Sequence, residues 1–307
     1  MNTNVRHKKL LSMERLLSFF SAPIHLMSFV VFGFFYGFFF NSVLAQDSQV
    51  TQSVAPLVAD GSAEKSKFQT TIAIDYETLV ANEANQDKRV DLNLTINPAY
   101  SLTSKMRLVA KTIVTQHQVN KPSSNKFETE VTDTLISLIG TSLEFPGPTK
   151  IAHGLTVIVP TNKTSATVNR LKGAIRVNSG FDTEWKSMFL SYRIGVQRNF
   201  HEYNVSAVGS PNIEWALRNV LELTYEFSEK ASAKFSGLYI QGRTYGGFEK
   251  ATYLSNISLT YSYTKSISLT GGFSNEGSAL AANGVDSNLK FYDDKTSTWN
   301  VGVEVIF

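Results

Sequence analysis

Hydrophobic side chains occupy every second position along most of the chain from residue 68 onward. The last such run places one set of residues on a single face, namely Trp299, Val301, Val303, Val305 and Phe307. A repeat of two residues is that of a β-strand with one apolar and one polar face. No segment after residue 67 shows the repeat of an amphipathic helix. The pattern therefore predicts an all-β fold.

The alternation divides this region into twelve predicted strands. Their predicted bounds are 68–80, 90–100, 106–115, 134–145, 151–159, 171–181, 188–200, 213–227, 232–241, 251–263, 266–274 and 298–307. Long polar connections alternate with short turns such as Pro146-Gly147-Pro148 and Thr264-Lys265, whose residues favour tight turns. Long connections at one end and short turns at the other predict an up-and-down antiparallel meander.

Strands with one apolar face fit two architectures. A soluble sandwich packs that face into its interior, whereas a membrane barrel turns it toward lipid. Nearly all charged residues of the predicted strands lie on the polar face, and only Arg198, near a loop, lies on the apolar one. A charge facing the bilayer centre costs ~2–4 kcal/mol, so this sorting supports a barrel. A soluble core would also exclude charge, and the sandwich remains the alternative fold.

Aromatic residues bracket the apolar face of two strands. Trp299 and Phe307 flank the valines of the last strand, and Trp215 and Tyr225 flank a leucine run in the eighth. Eight residues of tilted strand separate the first pair by about 20 Å along a membrane normal. Aromatic side chains favour the two interfaces of a bilayer. This spacing favours the membrane barrel.

The first 45 residues have a different composition. A basic stretch from Arg6 to Lys9 precedes an apolar segment that is richest over 29–40, and Ala45 ends it. This order predicts a secretory signal peptide over 1–45, followed by a flexible periplasmic tail over 46–67 that is rich in Ser, Ala, Asp and Gln. An uncleaved anchor helix over 26–44 is the alternative.

Net charge and cysteine content exclude several classes of function. The formal net charge of +3 is carried by the leader, so the rest of the chain holds equal numbers of basic and acidic residues. A nucleic-acid-binding protein needs clustered positive charge, and we expect no such partner. The chain contains no cysteine, which excludes disulfides, thiolate metal sites and cysteine nucleophiles.

The ending of the chain resembles that of Gram-negative outer-membrane β-barrel proteins, of the porin-like small-channel type. Their last strand commonly ends in Phe after alternating apolar residues, as in Trp299, Val303, Val305 and Phe307 here. The resemblance implies a transmembrane barrel of about twelve strands over 68–307, exported to the outer membrane. It implies that these four residues form the signal read by the barrel assembly machinery. Outer-membrane lipid and lipopolysaccharide are the other implied partners.

In a barrel, the charged residues of the polar face line the lumen. The candidate lumen residues, which would contact a solute, are Asp75, Glu77, Asp91, Arg107, Lys111, Arg176, Arg193, Arg218, Glu222 and Glu304. With twelve strands, each strand lies opposite the sixth one after it. This arrangement would place Arg176 opposite Glu304, Arg193 opposite Asp75 and Glu77, and Arg218 opposite Asp91. We therefore expect basic walls facing acidic walls, with a field across the bore.

This charged lumen predicts an outer-membrane channel for the diffusion of small polar or ionic solutes. Small inward residues, such as Gly154, Gly180, Gly195 and Gly272, would leave room for them. The alternatives are a lumen plugged by ion pairs, a non-conducting barrel whose loops bind a partner, and an outer-membrane hydrolase. Twelve strands lie between packed and open barrels, so size does not decide among them.

Histidine and acidic residues give little sign of catalysis or of a cofactor. His117 and His201 lie in predicted outer loops, and His153 lies on the lipid-facing side of its strand. None has the partner spacing of a known catalytic motif, so we expect no enzyme activity. Asp293 and Asp294 could hold Ca²⁺, but a hydrated acidic loop is the preferred interpretation, and no metal or cofactor is expected.

Overall fold

The computed structural model describes residues 67–80, 90–118, 128–144, 148–281 and 286–307, and only the backbone of 141–144. The predicted signal peptide (1–45) and all of the predicted tail except Lys67 lie outside the described residues. The described part contains no helix that combines the length and the apolar character needed to cross a membrane. A single helical turn, Thr164–Val168, lies between two strands.

Thirteen strands make up most of the described structure. They are β1 (Phe68–Leu79), β2 (Val90–Thr103), β3 (Met106–His117), β4 (Thr129–Val131), β5 (Thr134–Glu144), β6 (Lys150–Val159), β7 (Leu171–Trp185), β8 (Met188–His201), β9 (Ile213–Ser228), β10 (Ala231–Thr244), β11 (Glu249–Ser262), β12 (Ile267–Ser278) and β13 (Thr298–Ile306).

The strands form one closed antiparallel barrel. Each pairs with its neighbour in the chain, and β1 pairs with β13, where Ile74 lies opposite Val303. The short β4 and the longer β5 both pair with β3, so together they make one barrel strand that is interrupted at Thr132 and Asp133. The predicted twelve-stranded up-and-down barrel is therefore confirmed. Closure leaves no unpaired sheet edge, as a lipid environment requires.

The barrel carries its apolar side chains outside and its charged side chains inside. Along β7, Ile175 and Val177 are 45% and 59% exposed, whereas Arg176 between them is only 6% exposed. On the last strand, Val301 is 66% exposed, while Asp91 on β2 is completely buried. A soluble sandwich has the opposite arrangement, because its strands pack through their apolar faces. The alternative of a soluble β protein is therefore wrong.

Exposed aromatic residues lie near both ends of the outer wall. Trp299 and Phe307, at opposite ends of the last strand, are 54% and 71% exposed. Trp215 and Tyr225 occupy the corresponding places on β9, at 45% and 46% exposure. Both bracketing pairs predicted from the sequence thus point outward, as the interfacial aromatic belts of membrane barrels do.

We call the two ends of the barrel the turn end and the loop end. Strands at the turn end join through tight connections, for example at 186–187 and 229–230, and both ends of the barrel sequence, Phe68 and Phe307, lie there. At the loop end, two described loops bind each other, since Ala207 N donates to Val168 O at 2.8 Å. Asn212, almost fully buried, donates to Asn169 O and Tyr203 O in the same region.

Candidate solute pathway through the barrel

Two adjoining cavities occupy the lumen. The lower chamber, of about 360 Å³, extends toward the turn end, where Gln69, Arg107 and Ile306 line it. The upper chamber, of about 510 Å³, extends toward the loop end, where Glu77 and Glu276 line it. Six residues line both cavities and define a waist between them: Thr71, Asn97, Lys111, Val220, Leu238 and Glu304.

The structure places all ten predicted lumen residues on the inner side of the wall. Eight of them line a chamber: Asp75, Glu77, Arg107, Lys111, Arg176, Arg193, Arg218 and Glu304. The other two are covered by basic partners. His117 Nδ1 lies 2.6 Å from a carboxylate oxygen of Asp91, and Lys234 Nζ lies 2.8 Å from one of Glu222.

The waist combines charges of both signs. Lys111 on β3 interacts electrostatically with Asp75, Glu222 and Glu304, three carboxylates that belong to three different strands, and with Lys234. Asp75 crosses the inner face of β13 at Gly302, where an added Cβ would overlap its carboxylate. The glycine thereby lets this acidic side chain lie flat against the wall. Lys111 and the charges around it therefore form a compact cluster of both signs next to the waist.

The predicted field between opposite walls is wrong in two of its three pairs. Arg193 does not act as the counter-charge of Asp75 and Glu77, because both oxygens of Asp182 on the neighbouring β7 lie 2.6 Å from its Nη2. Asp91 contacts His117 on the neighbouring β3 instead of opposing Arg218. Charged groups on adjacent strands lie closer together than groups on opposite walls, so ion pairs between adjacent strands are favoured. Only Arg176 and Glu304 share a chamber as predicted.

Charge is instead sorted between the two chambers. The residues that line only the lower chamber include four arginines, Arg107, Arg176, Arg193 and Arg218, and no carboxylate among the described positions. The residues that line only the upper chamber include four carboxylates, Asp75, Glu77, Glu130 and Glu276, with Lys234 as the basic side chain among the described ones. The two chambers therefore carry potentials of opposite sign.

The upper chamber is held by hydrogen bonds between its polar side chains. His117 lies between two carboxylates, with Nδ1 at 2.6 Å from Asp91 and Nε2 at 3.7 Å from Glu130. Asn93 donates to Glu77 at 3.4 Å and accepts from Thr115 at 2.7 Å. These contacts hold the barrel wall around β4, next to the point where the barrel strand is interrupted.

Part of the space left by inward glycines is used by neighbouring side chains. Arg193 passes over Gly180, Asn178 over Gly195 and Asn300 over Gly272, and a Cβ at any of these glycines would collide with its neighbour. The small inward residues were predicted to leave room for solutes, and the structure shows that neighbouring side chains take part of that room. They let long polar side chains lie along the wall, and the two chambers are the room that remains.

Asp182 is the functional residue that the sequence pattern missed. The predicted strand ended at 181, whereas β7 continues to Trp185 and Asp182 faces inward with 9% exposure. A charged residue after a run of alternation resembles a turn, so the pattern gave a boundary there. Continuing the predicted strand for as long as polar residues occupied its inner face would have included Asp182.

The histidines and acidic loop residues outside the lumen occupy separate places. His201, at the end of β8, packs edge-on against Tyr245 at 5.8 Å between ring centroids, and His153 points outward with Nδ1 3.4 Å from Ser179 Oγ. Asp293 binds Lys290 at 2.6 Å, and this ion pair lowers the pKa of the Asp293 carboxyl. The described residues contain no group of three potential metal ligands.

Comparison with known proteins gives structural matches only. No family model and no curated protein sequence matches the chain. The structure is similar to the COG4313 outer membrane channel from Pseudomonas putida F1, with a TM-score of 0.57 and 11% identity over 83% of this chain and 100% of that one. It is also similar to the NanC porin, with a TM-score of 0.51 and 8% identity over 77% and 98% of the two chains. These likenesses show that both solved structures share the closed β-barrel fold of this chain.

Proposed function

We propose that the protein is an outer-membrane channel for the diffusion of small polar or ionic solutes. The observation that carries the proposal is the pair of adjoining chambers, lined by charged side chains, inside a barrel whose outer wall is apolar. Charged side chains favour water and ions in the lumen, whereas the apolar exterior favours lipid. The two similar structures are those of an outer membrane channel and a porin, which agrees with this proposal.

In this proposal the turn end faces the periplasm and the loop end faces the outside. Both ends of the barrel sequence lie at the turn end, as expected if the chain enters from the periplasm. The proposed assembly signal is exposed on the outer wall at its last residue, Phe307, and Val303 of the same face pairs with Ile74 at the closing seam. The barrel assembly machinery, outer-membrane lipid and lipopolysaccharide are the proposed partners.

The competing function is a barrel whose lumen is blocked by its own ion pairs. The Arg193–Asp182 and Lys234–Glu222 pairs favour it, because each neutralises a charge that would otherwise attract a solute. The chambers favour the channel, since a plugged lumen would fill this volume with side chains.

Recordings in planar lipid bilayers distinguish the two functions. Folded protein, verified by heat-modifiable migration on a gel, should give discrete conductance steps, and a heat-unfolded sample of the same preparation should give none. A folded sample without conductance steps would contradict the channel and favour the plugged barrel.

A further inference from the structure

The segment that precedes β13, residues 286–297, folds back over the outside of the barrel, and we call it the outer loop. Its position follows from β12, where Ser274 and Glu276 line the upper chamber. Because side chains alternate along a strand, Asn275 between them lies on the outer face of the wall. A residue on that face would ordinarily contact lipid, yet Asn275 is completely buried. Another part of the chain therefore covers it.

Hydrogen bonds fasten the outer loop to the wall at this position. The Asn275 amide donates to Lys290 O at 2.6 Å and to Tyr253 Oη at 3.1 Å. The Asn275 carbonyl oxygen accepts from Thr296 Oγ1 at 2.7 Å, and Lys290 N donates to Tyr253 Oη at 3.1 Å. The Tyr253 ring lies over Gly277, its register partner on β12. We call these contacts the clamp, and they hold the outer loop against β11 and β12.

The fastened loop carries two exposed aromatic rings. Phe291 and Tyr292 are 62% and 55% exposed. Their ring centroids lie 6.2 and 6.4 Å from that of Phe273 on β12. The Phe273 ring in turn lies 5.1 Å from that of Trp299 on β13. We call these four rings the aromatic patch. Since Trp299 belongs to the aromatic belt of the outer wall, the patch extends that belt onto the loop.

The composition of the outer loop suits a membrane interface better than bulk water. Exposed apolar patches on a folded protein mark a contact with a partner. Aromatic rings favour the interface of a bilayer, where their apolar bodies meet lipid and their polar edges meet headgroups. The same segment holds the Lys290–Asp293 ion pair and the exposed Lys295, whose charges favour the aqueous side. Exposed rings beside charged groups are typical of a segment that lies in the plane of the interface.

We propose that the outer loop is a membrane anchor whose aromatic patch lies in the lipid headgroup layer around the loop end of the barrel. The partner is the lipid layer itself, and the clamp sets the depth of the rings in it. The assignment to the outer leaflet rests on the orientation given with the proposed function. Contact between the patch and lipid does not require that the barrel conducts.

Spin-label accessibility in lipid bilayers tests the depth of the patch. The chain contains no cysteine, so Tyr292→Cys and Lys295→Cys each give the full-length protein a single site for a nitroxide. Oxygen concentrates in lipid, whereas a nickel chelate stays in water. The ratio of oxygen to nickel collision rates should be severalfold higher at position 292 than at position 295, the exposed control in the same loop.

Two results would overturn the proposal. Equal ratios at positions 292 and 295 would place the patch in water. Low collision rates with both reagents at position 292, together with dipolar broadening between labels, would show that a second copy of the chain covers the patch instead of lipid.

Removing the clamp tests whether it sets the depth of the rings. Asn275→Ala removes the amide that joins the loop to the wall, so the ratio at position 292 should fall toward that at position 295. Asn256→Ala is the matched control, because Asn256 lines the upper chamber and should leave the ratio unchanged. Thr296→Val removes a single contact and should give an intermediate ratio, which keeps the test if Asn275→Ala does not fold. Ratios unchanged in both clamp variants would overturn the role of the clamp.

Bilayer conductance separates the anchor from the channel. Folded protein whose label at position 292 contacts lipid but which does not conduct would refute the channel and retain the anchor. Conducting protein whose label at position 292 lies in water would retain the channel and refute the anchor. Heat-modifiable migration confirms that each variant is folded.

Discussion

The lower and upper chambers are lined by the same barrel strands, yet they differ in charge and in how that charge is held. Four arginines line the lower chamber alone, and four carboxylates line the upper chamber alone, among the described positions. In the upper chamber, Glu77 and Glu130 contact Asn93 and His117, whereas in the lower chamber Arg193 is paired with Asp182 of the neighbouring strand. The comparison shows that the two chambers differ in the sign of the charge that lines them, and that contacts between neighbouring strands hold part of that charge in both.

The largest effect is expected from a change at the β1–β13 seam, beside the upper chamber. Gly302→Val would drive a branched side chain into the Asp75 carboxylate and toward Ile74 O at the β1–β13 seam. The barrel cannot then close, so the heat-modifiable folded band should be lost. Gly271→Val is the control, since an added Cβ there meets no atom closer than 4.0 Å. Normal folding of Gly302→Val would show that the seam at the waist is looser than the structure implies.

The next effect concerns the ion selectivity of the lower chamber. Replacing Arg176 and Arg218 together by Gln removes two of its four arginine charges, so the permeability ratio of chloride to potassium should fall severalfold. The measurement is the reversal potential across a bilayer in a salt gradient. Glu77→Gln with Glu276→Gln should move the ratio in the opposite direction. A shift of the same sign in both double variants would contradict the separation of charge between the two chambers.

A smaller effect follows from breaking the ion pair that neutralises Arg193. Asp182→Asn leaves the half-buried arginine without its carboxylate, so the barrel should lose about 2 kcal/mol of unfolding free energy. The same change adds net positive charge below the waist and should raise chloride preference. Denaturant unfolding measures the first effect, with the exposed Glu184→Gln on the same strand as the control. Equal stability of both variants would mean that Arg193 finds another partner.

The smallest effect is expected at the loop end, on the solvent-exposed Lys290–Asp293 pair. The pair lowers the pKa of Asp293, so its contribution is present above the ordinary carboxyl pKa and is lost as pH falls through the lower folded value. Below about pH 4, cleavage of the 286–297 segment by an acid protease should therefore increase slightly. Asp293→Asn should remove that pH dependence, and an unchanged profile in this variant would exclude the pair as its cause.

The alternation of side chains was sufficient to predict most of the fold. A repeat of two residues shows directly which side chains share a face of a strand. The sorting of charged residues then identified which of the two faces points into the barrel, and the ten predicted lumen residues lie on that inner face. The partners of those residues could not be predicted, because they depend on register between strands. Asp182 and Gly195 illustrate this limit. Asp182 on β7 pairs with Arg193 on β8, and Gly195 on β8 lies between the strands that carry Arg176 and Arg218. The interruption at Thr132 and Asp133 is likewise invisible in a repeat of two.

The central claim is that water and ions fill a barrel whose exterior contacts lipid, and paired cysteine substitutions test it most directly. The chain contains no cysteine, so a single new thiol gives an unambiguous signal. Ala73 lines the upper chamber, and the adjacent Ile74 points outward with 51% exposure. In lipid bilayers, a negatively charged, membrane-impermeant thiol reagent should react with Ala73→Cys and reduce conductance, and should leave Ile74→Cys unmodified. Reaction at Ile74→Cys with none at Ala73→Cys would contradict the account.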